Sequence, residues 1–311
     1  MKHISVMLNK SIEELDISEN GIYVDCTLGR GGHSLEIASK LKGGHLYCFD
    51  KDEEAINESK EVLKDYLDKI TFIHKDFRNL AVELAKYEIT GVDGILLDLG
   101  VSSPQFDDVK RGFSYRFDSR LDMRMDKSQK LTAYDVVNEY SYSELLRIFY
   151  SYGEEKFSKQ IARKIEKQRI EKPIETTFEL VDIIKSSLPM KVLSKKGHPA
   201  KQVFQAIRIE VNREMEALNE VLDQALSLLN ENGRCVVITF HSLEDRIVKE
   251  KFNEVSKYEK VDKRIPVMPD QIKKPDYICI NKKPIIADED EIKNNKRSQS
   301  AKLRVIMRRK K

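Results

Sequence analysis

Residues 22–33 read I-Y-V-D-C-T-L-G-R-G-G-H: a short apolar strand, an acid, then three glycines within four positions. Glycine adopts left-handed dihedrals without steric cost, so Gly29, Gly31 and Gly32 allow the main chain to approach a ligand closely. Nine of the thirteen glycines fall between Gly21 and Gly100, which concentrates this permissiveness in the first third of the chain.

Around that turn, apolar runs alternate with helical patterns. Strands are predicted at 22–26, 46–49, 70–73 and 92–97, and helices at 34–41, 53–67 and 80–87. A β-α-β-α rhythm with short links implies a parallel sheet with right-handed crossovers. After Gly100 the rhythm stops. Residues 102–130 are rich in Ser, Asp, Arg and Gly, and 133–188 read as helical throughout, punctuated by Pro173 and Pro189. A long amphipathic helix is predicted over 202–229, carrying Phe204, Ile207, Val211, Met215, Leu218 and Leu222 at spacings of three and four, with Gly233 as its stop. Strands at 235–240 and 303–307 then resume the sheet. The expected architecture is α/β, a doubly wound Rossmann-like sheet with an inserted all-helical domain, divided as 1–107, 108–200 and 201–311.

At 311 residues, with 40% apolar and 34% charged, the chain is large enough for two cores. It has no run of eighteen apolar residues, and M-K-H-I-S-V-M-L-N-K lacks the pattern of a secretory signal, so a cytoplasmic protein without membrane association is expected. Cys26, Cys48, Cys235 and Cys279 are scattered, without a C-x-x-C pair or a histidine at ligand spacing, and read as reduced thiols; no metal is expected. Net charge is only +3, but its distribution is uneven. Residues 156–172 hold seven basic against two acidic side chains, 191–213 hold six against one, and 296–311 hold eight against none. Three such runs favour a polyanionic partner, nucleic acid foremost.

The glycine turn follows a strand and opens a helix, which aims backbone N–H groups and the positive helix end at a ligand. Its G-x-G-G pattern lacks the third glycine of a dinucleotide fingerprint, Ser34 standing in that place. Asp50 ends the second strand, eighteen residues after Gly32, where an acid can hold ribose hydroxyls; Asp52 is the better candidate to cap the next helix. Asp76-Phe77 and Asp98 follow the third and fourth strands, so the acids gather at the carboxyl ends where open α/β sheets bind ligands. Asp25 satisfies loop amides or faces the ligand, and His33 is either a ligand contact or an exposed helix-start residue. A dinucleotide would want the missing glycine; S-adenosylmethionine, without a pyrophosphate, does not.

T-L-G-R-G-G-H-S (27–34), D-G-I-L-L-D-L-G-V-S-S-P-Q (93–105), R-G-F-S (111–114), L-D-M-R-M-D (121–126), Y-G-E-E-K-F (152–157), H-P-A (198–200), F-Q-A-I-R-I-E-V-N (204–212) and F-H-S-L-E-D-R-I-V-K (240–249) occur in order along the chain. Together they resemble the RsmH (MraW) family. The resemblance implies a class I, Rossmann-like, S-adenosylmethionine-dependent methyltransferase with a helical insertion, acting on cytosine N4 in the 16S rRNA of the small ribosomal subunit. It places cofactor contacts on Gly31, Gly32, His33, Asp50, Phe77, Asp98 and Gln105. The chain departs from the family pattern at Cys26, Leu28, Arg78 and Asn79, where the backbone rather than the side chain makes the contact.

Ser102, Ser103 and Pro104 follow the fourth strand, where amino-methyltransferases carry a short acid- or Ser-Pro-Pro-aromatic motif, and resemble a variant of it. A serine hydroxyl and a main-chain carbonyl are the candidate acceptors for the N4 protons. His241 either lines the base pocket and shuttles a proton or belongs to a helix cap with Ser242. Arg111, Arg116, Arg120 and Arg124 hold RNA phosphates or form internal ion pairs with Asp118, Asp122 and Asp126. A nicotinamide-dependent oxidoreductase, a noncatalytic RNA-binding factor and a DNA amino-methyltransferase are the rival readings; whether the protein forms a homodimer is left open by the sequence.

Overall fold

The computed structural model describes residues 5–100, 106, 108–258 and 273–310. The chain divides into two compact units, Met1–Gly100 with Glu216–Lys311, and Val101–Met215.

The first unit is built on an eight-stranded sheet: β1 (Ile22–Asp25), β2 (His45–Asp50), β3 (Ile70–His74), β4 (Val92–Asp98), β5 (Leu229–Thr239), β6 (Tyr277–Cys279), β7 (Ile285–Ile286) and β8 (Lys302–Arg308). The strand order is β3-β2-β1-β4-β5-β8-β6, with β7 paired to β8. The first five strands pair in parallel, and β8 runs antiparallel to β5, β6 and β7. The winding direction reverses between β1 and β4, and this reversal opens a crevice at the carboxyl ends of those two strands.

Both faces of the sheet are covered, which is why its parallel strands are almost continuously apolar. Successive residues of β4 alternate between the two cores. Leu96 packs with Ile12 and Leu15 of α1 (Leu8–Leu15) and Ile37 and Ala38 of α2 (Gly32–Lys40). Ile95 and Leu97 pack with Leu80 and Leu84 of α4 (Leu80–Ala85) and with Leu218, Val221 and Leu222. Gly94 is compelled by packing: a Cβ there would lie 2.7 Å from the ring of buried Tyr23. α3 (Glu53–Val62) is shorter than predicted, because the chain tightens into a 3-10 turn over Lys64–Lys69.

The second unit contains α5 (Ala133–Glu139), α6 (Tyr142–Ser151), α7 (Ser158–Glu171), α8 (Thr177–Ser186), the single turn α9 (Met190–Leu193) and α10 (Lys201–Asn212). The stretch read as helical throughout is therefore four helices. Three of them begin with reciprocal caps, Thr132 with Asp135, Ser141 with Glu144 and Thr176 with Glu179, each a Ser/Thr-x-x-acid signal visible in the sequence. Their apolar stripes meet around Val136, Ile148, Phe149, Ile161, Ile184 and Ile207.

The predicted helix over 202–229 is also two, α10 and α11 (Glu214–Leu228), because Arg213 takes a left-handed conformation with φ of 50°. Asn212 holds the break: its side chain accepts from Met125 N at 2.8 Å and donates to Met123 O at 2.8 Å. Gly233 lies inside β5, where a Cβ would meet Asn230 O at 2.9 Å, and so is not a helix stop. α12 (Ser242–Val255) follows β5, and α13 (Glu289–Asn294) precedes β8.

No described helix is long and apolar enough to cross a membrane. Cys26, Cys48 and Cys235 are buried, and burial pushes the Cys235 thiol up to about 12.

β8 is anchored by charge. Asp245 at the start of α12 accepts from Arg304 Nε at 2.7 Å and Lys302 Nζ at 3.0 Å, and both Asp245 and Arg304 are buried. Removing one partner of a buried pair strands the other charge, so Asp245→Ala is expected to cost about 3–5 kcal/mol of stability. Urea denaturation of the variant checks this, and Lys302→Ala, which removes a half-exposed partner, should cost far less.

Candidate cofactor site at the sheet reversal

Asp25 and Asp98 end the adjacent strands β1 and β4, and the glycine turn leaves β1 directly beneath them in sequence. Asp25 is 1% exposed. It accepts from Thr27 N at 3.0 Å and from Ser34 Oγ at 2.7 Å, so it ties the strand end to the first turn of α2. Thr27 Oγ1 in turn accepts from Asp98 N at 2.7 Å. Asp25 thus does satisfy a loop amide, and Ser34, in the place of the missing third glycine, serves as its hydroxyl donor.

Asp50 is held by two amides, accepting from Gly29 N at 2.9 Å and Asp52 N at 2.9 Å, one on each carboxylate oxygen. Each oxygen keeps a second lone pair, which is what a vicinal diol needs. Asp52, not Asp50, caps α3, accepting from Glu54 N. Asp76 accepts from Arg78 N, and Phe77 is half-buried against the apolar core of the sheet.

The glycines divide their work. Gly29 has φ of 51°, and among the described residues a Cβ on it would meet only Thr27 O, at 3.8 Å, so that side is one a ligand can approach. Gly31 has φ of 75°, and its Cβ would press on Leu63 at 3.2 Å. A Cβ on Gly32 would overlap Ser5 Oγ. Gly31 and Gly32 therefore permit the turn and its packing, while Gly29, which the carried-over contacts omit, faces free space.

His33 is 5% exposed, so it is not an exposed helix-start residue. Its Nε2 lies 3.1 Å from Val6 O and its Nδ1 3.8 Å from Asp98 Oδ2. The other oxygen, Asp98 Oδ1, is buried and has no hydrogen-bond partner among the described residues. Such an orphaned acceptor beside a crevice fits a ligand that brings its own donor or positive charge.

The electrostatics agree. Burial pushes the Asp25 carboxyl up to about 6 against the hydrogen bonds from Ser34 and Thr27, with Asp50 adding to the rise. Asp98 is raised well above the carboxylate range by burial, then by Asp25 and Glu244. Asp50 is raised by burial, opposed by its two amides. Three acids crowded at the strand ends favour a cationic nucleoside, and S-adenosylmethionine carries a sulfonium and an ammonium.

His241 caps α12: its Nδ1 accepts from Glu244 N, while Glu244 Oε2 accepts from Phe240 N at 2.8 Å and from His241 N. Ser242 is the first helical residue, so the cap belongs to His241 itself. Nδ1 is committed to the cap, and Nε2 lies 3.0 Å from Glu244 Oε1 without a hydrogen bond to a described residue. Ser102, Ser103, Pro104 and Gln105 lie outside the described residues.

Asp50→Ala is expected to weaken S-adenosylmethionine binding by about 1.5–3 kcal/mol, the worth of charge-assisted hydrogen bonds, or roughly ten- to a hundredfold in Kd. Isothermal titration checks it; an unchanged affinity would remove Asp50 from the ribose role.

The family model of the MraW methylase family matches residues 1–309. Among solved structures, a Clostridium thermocellum protein assigned as an rRNA methylase is 15% identical over 98% of this chain and 99% of that one, with a TM-score of 0.45. An rRNA methylase from Streptococcus thermophilus is 12% identical, covering 97% and 94%, with a TM-score of 0.42. A SAM-dependent O-methyltransferase from Thermotoga maritima is 10% identical, covering 100% and 69%, with a TM-score of 0.43. The glycine turn, the acids at the strand ends and a match spanning nearly the whole sequence agree: the chain belongs to the MraW methylase family, S-adenosylmethionine-dependent rRNA methyltransferases.

Proposed function

We propose that the protein transfers a methyl group to the exocyclic N4 of a cytidine in 16S rRNA of the small ribosomal subunit, in the cytoplasm. The observation that carries the chemistry is the acid-lined strand edge around Asp25, Asp50 and Asp98, with its orphaned Asp98 oxygen. The family membership supports the choice of rRNA, and the in-order motifs support cytosine N4.

When bound, S-adenosylmethionine supplies an activated methyl whose leaving group is a neutral thioether. The chain's task is then placement. Asp50 holds the ribose, Gly29 admits the ligand to the backbone, and Asp25 and Asp98 supply a negative field at the strand ends. Cytosine N4 is a poor nucleophile because its lone pair is conjugated into the ring. In this reading a hydroxyl of Ser102 or Ser103 and the main-chain carbonyl before or at Pro104 accept its N–H groups, localise the lone pair and receive the proton lost. We place Phe77 and Gln105 around the cofactor as well, and take the inserted helical region near 108–200 as the part that grips RNA.

The basic runs are not equivalent in that task. Half of the last is used by the fold: Lys302 and Arg304 bind Asp245, Arg308 donates to Leu229 O and Arg309 to Pro275 O. Arg111 is buried and donates to the carbonyls of Arg124 and Met125, and Arg124 makes a bidentate pair with Asp122. By contrast Lys159, Arg163 and Lys167 lie exposed at intervals of four along α7, with Lys164 beside them. That stripe is the stronger candidate for phosphate contact.

Mass mapping of small-subunit rRNA should find one N4-methylcytidine present with the protein and absent without it; methylation at carbon 5 or in another RNA would overturn the assignment. Lys159→Glu with Lys167→Glu should weaken RNA binding and flatten its salt dependence by about 0.7 in log K against log salt per lost phosphate contact. Cofactor affinity in that variant should not move.

A further inference from the structure

The helical unit carries an aromatic pair that the cofactor site does not use. The rings of Tyr115 and His198 stack with centroids 4.1 Å apart and planes 10° from parallel. Tyr115 sets its edge against Phe204, whose side chain is buried in α10, at 5.7 Å and 88°. The pair is therefore anchored to the core of the unit, yet both of its members remain half-exposed.

The imidazole is fixed as well as stacked. His198 Nδ1 accepts from Ala200 N at 3.2 Å, so the neutral ring carries its proton on Nε2, the nitrogen left free of that contact. Gly197 precedes it with φ of 109°, and a Cβ there would meet no described residue within 4 Å, which leaves space beside the ring. Partial burial, then the nearby charges of Lys185 and Arg116, hold His198 below its ordinary range, so it is uncharged at neutral pH. Both of those cations are exposed, as are Lys195, Lys196 and Lys201 around it in sequence. An uncharged flat ring among solvent-facing cations suits a ligand that is itself flat and anionic at its edges. A nucleotide has both properties, whereas an acidic peptide would use the cations and leave the ring idle.

We propose that His198, backed by Tyr115, is a platform on which an unpaired base of the substrate RNA stacks, with Arg116 and Lys185 meeting the adjoining phosphates. This rests on the reading that RNA is the substrate.

Fluorescence anisotropy of a labelled single-stranded RNA oligonucleotide with the full chain tests it through two crossed variants. His198→Asn retains an acceptor for Ala200 N and loses the ring; His198→Phe retains the ring and loses the acceptor. Stacking on an aromatic side chain predicts that His198→Asn weakens RNA binding about five- to a hundredfold, with the salt slope unchanged because no phosphate contact is lost. His198→Phe should stay near wild type, and Arg116→Gln should flatten the slope. Titration with S-adenosylmethionine on each variant, expected unchanged, reports that the chain is folded. Wild-type affinity in His198→Asn, or an equal loss in His198→Phe, would overturn the platform while leaving the RNA substrate standing. A wild-type protein that binds no RNA at all would overturn both.

Discussion

The structure depends on a carboxylate where water cannot reach it. Asp25 sits at the end of β1, satisfied by the amide and hydroxyl of Thr27 and by Ser34 Oγ, and those contacts fix how the chain leaves the sheet and enters α2. Its carboxyl is raised from 3.8 to about 6, so in the ligand-free protein its ionised form costs the fold about 3 kcal/mol. The sign follows from the direction of the shift. An acid raised by folding destabilises the fold as pH rises through the window between its unfolded and folded values, here from about 4 to about 6. Such a group beside Asp50 and the orphaned Asp98 oxygen suits a cationic ligand.

Much of this frame was legible in the sequence for physical reasons. β1 through β4 are short apolar runs that must be buried on both faces, and only a parallel sheet with helices on either side buries them. Asp50 was readable as a candidate ribose acid because Asp52 lay better placed for the cap, and Asp52 does cap α3. Ser34 was noticed as a missing glycine, but its partnership with Asp25 needs the register of β1 and α2, which spacing alone does not give.

What escaped the sequence was decided by single contacts. Periodicity runs unbroken from Phe204 to Leu229, yet Arg213 turns left-handed because Asn212 has partners at Met123 and Met125, far away in sequence. Gly94 is there to clear Tyr23, a contact that strand spacing does not disclose. The charge runs mix two uses in the same way, since counting lysines and arginines cannot distinguish Arg304, locked to Asp245, from Lys159 in solvent. His241 drew attention as a titratable group after a strand, whereas its position three residues before Glu244 makes it half of a cap.

The claim that the strand-end acids are built for a cationic cofactor has a direct test in proton counting. Calorimetric titration with S-adenosylmethionine, repeated near pH 6 in buffers of different ionisation enthalpy, measures the protons exchanged on binding. Asp25 is raised to about 6, so near that pH it is partly protonated in the free protein and a bound cation must expel that proton, while burial shifts Asp98 in the same direction. The account predicts net proton release, affinity that climbs with pH through this range, and a smaller release with S-adenosylhomocysteine, which lacks the sulfonium charge. Proton uptake, or no exchange with either ligand, would contradict it.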